Sequence, residues 1–200
     1  MSRIGRIFAS SIAATVIGGT AMVGLLGAPA QAAEAAAPNS GVSISSDKGC
    51  SKKVRVGNAR YKGDIFHSSA KTAGYNHNHV GIFYTTKTIV EAPGSGSKSQ
   101  ARTAATLNKC GPVYKMYVKA KQTSRNKAAN YAYNNLRGKA YDNNFAFNKS
   151  SSNSKLNCSE LVWKAYKKAV NIELDSNGGP GVYPNNIKDD GSTVVYSTRR

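Results

Sequence analysis

The stretch NCSELVWKAYKKAV, residues 157–170, constrains the fold more than any other part of the chain. Asn157 suits an N-cap, and Glu160 three residues on completes an approximate capping box, so Cys158 falls at the first helical position. Leu161, Val162, Ala165, Tyr166 and Ala169 then share one face, while Lys164, Lys167 and Lys168 lie mostly outside it. A helix of this kind needs a cover for its apolar side, and its N-terminus, cysteine included, has to be anchored in a core.

The cover is expected from short strands. KGDIFHSS (62–69) carries one after a turn, and HVGIFYTTKTIVEAP (79–93) reads as two strands joined by a tight turn near Thr85–Lys87. GPVYKMYVKA (111–120) alternates Val113, Lys115, Tyr117 and Lys119 against Tyr114, Met116 and Val118, the pattern of a half-buried strand. GSGSKSQAR (94–102) reads as a loop, and SRNKAANYAYNNLRG (124–138) as a second helix with Ser124 as its cap and Gly138 as its stop. NKSSSNS (148–154) is a surface loop, and the tail is loop, turn and a last short strand. The class is α+β, an antiparallel sheet with a few helices packed on it.

The N-terminus reads differently. Arg3 and Arg6, the apolar run from Ile7 to Leu26 and the small-x-small site Ala30-Gln31-Ala32 predict a secretory signal peptide over 1–32. An uncleaved membrane anchor is the competing reading, but Ser10, Ser11, Gly18, Gly19 and Thr20 dilute the run. Residues 33–48 are a small, polar, flexible leader, and 49–200 make one domain. Two of the 28 Lys and Arg and none of the 10 Asp and Glu fall in the signal peptide, which leaves the mature chain at +16. Such a field attracts any polyanion: wall polymer, anionic lipid headgroups or extracellular nucleic acid. The plainer alternative is a solvated surface, because the lysines are scattered rather than blocked. Cys50, Cys110 and Cys158 all survive cleavage, and an oxidising compartment pairs two of them and leaves one.

A thiol at a helix N-terminus faces unpaired N–H groups and the positive end of the dipole, which favour the thiolate and could hold an oxyanion. Cys158 is therefore a candidate nucleophile; it could equally be a buried small hydrophobe or half a disulfide. Its base has to come from His67, His77 or His79. His79 opens a strand and is followed on the same face by Gly81, which leaves room for a ligand. Glu91 closes the next strand, and a hairpin returns it beside His79, where a carboxylate fixes the imidazole tautomer. A strand-edge surface histidine and an ordinary edge charge remain the simpler readings. His77 and His79 could instead ligate a metal, but no third ligand stands at convincing spacing.

Five blocks in order, GDIF (63–66), HVGIFY (79–84), VEAP (90–93), GKAYDNNF (138–145) and NCSELVWKAY (157–166), resemble the YiiX-like permuted papain-fold amidohydrolases, relatives of the NlpC-type cell-wall peptidases. The resemblance implies a circularly permuted papain-like fold with histidine before cysteine. It implies Cys158 as nucleophile at a helix N-terminus, His79 as general base and Glu91 as the residue that orients it. Tyr141 and Asp142 fall on a block that lies near the cleft in such proteins, which implies a supporting role in substrate binding. A thiolate role for Cys158 in turn implies that Cys50 and Cys110 form the disulfide. The expected activity is a secreted cysteine amidase or peptidase acting on cell-wall peptide or other amide bonds, with no cofactor and no metal; secretion and the +16 charge point to the envelope and to a peptidoglycan stem-peptide bond as first substrate, with peptidoglycan or another anionic envelope polymer as partner, no specific nucleic-acid partner and no membrane span after cleavage. A lipid acyl hydrolase or acyltransferase, and a basic envelope-binding protein without turnover, are the alternatives.

Overall fold

The computed structural model describes residues 50–72 and 75–200, so the expected signal peptide and leader lie outside the described residues. Short β-branched and aromatic runs form the strands: β1 (Lys53–Arg55), β2 (Ile65–Ser69), β3 (Lys71–Thr72), β4 (Tyr75–Asn76), β5 (His79–Phe83), β6 (Thr88–Glu91), β7 (Gln100–Thr103), β8 (Asn108–Val118) and, after the helices, β9 (Thr193–Arg199). One seven-stranded sheet runs β1-β8-β2-β5-β6-β7, with β9 also on β8, and β3 and β4 make a separate ribbon. Every pairing between these strands is antiparallel.

The sheet has an apolar cluster on each side. Ile65, Val80, Ile82 and Met116 face the helices, whereas Phe66, Phe83, Ile89 and Val113 pack with Val54, Val56 and Leu107 in a second cluster. The period-2 alternation of strands accounts for the split, since neighbours such as Ile82 and Phe83 fall on opposite sides. The chain around Val56 and Gly57 bonds back to the turn after β7, through Val56 N–H to Leu107 O and Gly57 N–H to Ala104 O, each 2.9 Å.

Three helices follow β8: α1 (Gln122–Asn135), α2 (Cys158–Val170) and α3 (Pro184–Lys188). α1 buries Ala128, Ala129 and Ala132, side chains small enough to let it pack closely against α2. α2 in turn lies on β5. Among the described residues no helix is long and apolar enough to cross a membrane.

Several elements depart from the sequence reading. Ser124 does not cap α1, because the helix begins at Gln122 and Lys121 holds the cap position without a side-chain bond. The supposed loop at 94–102 runs into β7, whose polar Gln100–Thr103 read as no strand but complete the ladder with β6. The tail contains α3, started by Pro184. β8 begins at Asn108, ahead of the expected start, and its alternation breaks where Lys115 and Met116 are both buried beside a register shift toward β9. Cys50 and Cys110 are joined by a disulfide, with Cα atoms 5.6 Å apart, and Cys158 carries a free thiol.

Candidate active site

Local sequence fixes the N-terminus of α2. The Asn157 side-chain oxygen accepts from Glu160 N–H at 2.9 Å, and Glu160 Oε2 accepts from Asn157 N–H at 3.3 Å. Both reciprocal bonds of a capping box are present. Lys164, expected mostly outside the apolar face, is buried, because its ammonium bonds Glu160 Oε1 at 2.8 Å and the Ser151 carbonyl at 2.7 Å. Neighbouring segments brace the same turn: Ser159 Oγ–H donates to Val182 O at 2.7 Å, and Asn157 Nδ2–H donates to Asn144 O at 3.2 Å. Cys158, between these braced residues, is 0% exposed.

His79 enters from the start of β5. Ser68 of β2 pairs with it, and the Phe66 ring lies 5.6 Å from its ring centroid. The β5–β6 hairpin returns Glu91 to its side, where His79 Nε2–H donates to Glu91 Oε2 at 2.6 Å. The room left by Gly81 is taken by the protein itself rather than by a ligand: a Cβ there would lie 2.5 Å from the Phe66 ring and 3.2 Å from Glu91 Cβ. With Nε2 committed to Glu91, the other ring nitrogen is left for Cys158, whose ionisation His79 favours.

A fourth residue, which the sequence reading missed, completes this chain. Lys109, on β8, brings its ammonium to 2.9 Å from the same Glu91 oxygen and is only 2% exposed. Burial alone would push the Glu91 carboxyl up, but Lys109 and His79 hold it well below the usual carboxylate range. Burial and the Lys109 charge both press His79 down, and the Cys158 charge with hydrogen bonds to Cys158 and Glu91 raises it above its ordinary value. For Cys158 burial works against ionisation, yet the His79 charge, the His79 hydrogen bond and the Val80 and Ser159 N–H groups lower it below the ordinary thiol value. Thiolate and imidazolium therefore favour one another.

Tyr141 stands close enough to Cys158 for burial and the thiolate charge to raise its hydroxyl above the ordinary value. Asp142 is not brought to the thiol: its carboxylate accepts from Asn144 N–H at 2.9 Å and shapes its own loop. His77 turns away too, with Nδ1–H donating to Asn78 O at 2.8 Å and its ring 6.3 Å from that of Phe145. Among the described residues no three His, Cys, Asp or Glu side chains are grouped to hold a metal ion. The concavity lined by Lys52, Gly111, Pro112 and Arg200 shares no residue with the thiol site.

Residues 60–189 match the family model described as permuted papain-like amidase enzyme, YaeF/YiiX, C92 family. The chain is 34% identical over 164 residues to the uncharacterized protein YycO of Bacillus subtilis strain 168, an alignment covering 81% of this chain and 64% of that protein. It thus spans less than two thirds of that relative's length. The crystal structure of the metalloprotein YiiX from Escherichia coli O157:H7 superposes with a TM-score of 0.49 at 16% identity, covering 70% of this chain and 97% of that one.

Proposed function

The chain belongs to the family of permuted papain-like amidases, and from that premise we propose that it is an exported cysteine hydrolase that cleaves amide bonds of cell-wall peptide. The observation that carries this reading is the unbroken buried series from Cys158 through His79 and Glu91 to Lys109. In the resting site the Cys158 thiolate faces the His79 imidazolium. The thiolate attacks the substrate carbonyl carbon, and the oxygen that gains the negative charge is held by N–H groups at the α2 N-terminus. The Tyr141 hydroxyl, which stands beside the thiol, donates a hydrogen bond to that oxygen. His79 then gives its proton to the leaving nitrogen as the C–N bond breaks, leaving a thioester. His79 next takes a proton from water, the hydroxide attacks the thioester carbonyl, and the C–S bond breaks to return the thiolate.

Lys109 keeps this cycle electrically balanced. Thiolate, imidazolium, carboxylate and ammonium sum to zero at rest, and the thioester stage, with neutral imidazole, sums to zero as well. Four mutually compensating charges are the arrangement a water-poor site tolerates. The signal-like N-terminus and the strong positive charge favour an envelope substrate, and cell-wall peptide supplies amide bonds there.

The test is alkylation of the non-reduced protein by iodoacetamide across pH, with peptidoglycan fragments as substrate in parallel. Cys158 is expected to react with a midpoint well below 9.0, its ordinary value, to lose that low midpoint in His79→Ala, and to be required for amide release. A thiol that titrates near 9, or turnover retained in Cys158→Ala, would overturn the proposal.

A further inference from the structure

Positive and negative charge are segregated along this chain. Between residues 50 and 141 the sequence supplies lysines and arginines throughout but only two carboxylates, Asp64 and Glu91. Both are fully buried and ion-paired, Asp64 with Arg125 at 3.1 Å and Glu91 with Lys109 and His79. The exposed face of this half of the molecule therefore carries cations with no exposed carboxylate of its own.

On that face the cations are fixed by tyrosines. The Arg60 guanidinium lies 3.7 Å from the Tyr196 ring centroid, and Arg125 spans Tyr61 and Tyr117 at 5.5 and 5.6 Å. Beside them Tyr84 and Tyr133 stack at 3.8 Å, with Lys62 over the first at 4.3 Å and Arg137 over the second at 3.5 Å. These groups are continuous: Arg60 also reaches Tyr117 at 5.5 Å, and Lys62 Nζ donates to Asn130 of α1 at 2.6 Å. The loop that bears Arg60, Tyr61 and Lys62 is clamped to α1, since Gly63 has φ of 86° and a Cβ there would meet the Arg125 backbone at 2.6 Å. Cations held over rings lose little side-chain freedom when they bind an anion.

We propose that this face, formed by the 58–63 loop, α1 and Tyr196 of β9, is a docking surface for a flexible phosphodiester polymer that carries no bases. The choice against single-stranded nucleic acid follows from the rings. Base binding needs free aromatic faces on which to stack. Here Lys62 and Arg137 cover the Tyr84–Tyr133 pair and Arg60 covers Tyr196, which leaves Tyr61, 53% exposed, as the open ring of this group; one ring is no stacking platform, and the cations meet the polymer. The surface shares no residue with the thiol site, and its function stands or falls apart from the amidase reading.

An abasic oligodeoxyribose-phosphate, a phosphodiester chain without bases, serves as the probe, with poly(dT) of the same length and charge, the intact protein and a series of salt concentrations. The abasic chain is expected to bind with an affinity that falls steeply with salt, and Arg60→Gln/Lys62→Gln/Arg137→Gln to weaken it about tenfold and to flatten the slope of log K against log salt by about 2. Lys52→Gln/Lys53→Gln/Lys155→Gln, which removes the same charge elsewhere, is expected to change affinity by less than about twofold. Equal losses from the two triple variants would show a diffuse field and overturn the site. Poly(dT) binding much tighter than the abasic chain at matched salt would overturn the choice of polymer. Circular dichroism and Cys158 alkylation check that each variant is folded.

Discussion

Lys109 is the residue that most separates what this sequence discloses from what the fold assembles. The capping box around Cys158 and the His79–Glu91 hairpin are local patterns, three residues and a short turn long, and so could be read directly. Lys109 comes from β8, which pairs with β1, β2 and β9 but not with β6, so no spacing in the sequence points from it to Glu91. Its role is testable without a substrate. Nitrogen NMR of the histidine rings is expected to show His79 titrating above 6.5, and Lys109→Met to move that midpoint higher, because the cation that presses it down is gone. A midpoint unchanged in a folded Lys109→Met protein would make Lys109 a packing residue only. Gly81 was legible as a small residue and misread as room for ligand, because only the tertiary fold brings Phe66 into that space. Gly81→Ala forces a contact of 2.5 Å on Phe66 and is expected to cost about 1–3 kcal/mol in denaturant unfolding. It should also slow Cys158 alkylation, by disturbing the Glu91 side of the site.

At the scale of elements, the strong amphipathic helix α2 was readable because its apolar face and cap agree, whereas β7 and α3 were not, because polar Gln100–Thr103 and the short Pro184–Lys188 segment take their structure from what they pair with. The contact of α3 with β2 has a pH consequence. His67 Nε2–H donates to Asn185 Oδ1 at 2.9 Å, while its Nδ1 is buried with no hydrogen-bond partner among the described residues. Burial first, with the Lys188 charge adding to it against the Asn185 bond, lowers His67 to about 4 from 6.5. The folded state therefore resists a proton that the unfolded chain accepts. Stability is full above pH 6.5 and falls as pH drops toward 4, by about 3 kcal/mol. His79, raised rather than lowered, contributes stability that is already complete below 6.5, so it does not mask the loss in that window. Urea midpoints measured from pH 7 to pH 4 should fall in the native protein, and His67→Leu should flatten that fall. An equally steep fall in the variant would place the acid sensitivity elsewhere.

For the molecule as a whole, three features lie apart: a disulfide that ties the chain ahead of β1 to β8, a buried free thiol, and a half of the sequence rich in cations. Of the three cysteines, the disulfide occupies Cys50, ahead of β1, and Cys110 of β8, while Cys158 is enclosed at the N-terminus of α2. The sequence separation of 60 between Cys50 and Cys110 makes the loop worth about 4 kcal/mol in the chain-entropy account. Cys50→Ala/Cys110→Ala is thus expected to lose up to about 4 kcal/mol in denaturant unfolding. Because Cys110 adjoins Lys109, the same variant asks whether the bridge does more than stabilise. Below the unfolding transition, the pH midpoint of Cys158 alkylation should stay where the native protein has it, since Lys109 is also held by its pairing with Val54 in the β1–β8 ladder. An upward shift of that midpoint in the folded variant would instead show that the disulfide helps to hold the charge chain in place, which would make the reactivity of the free thiol depend on the oxidation of the other two.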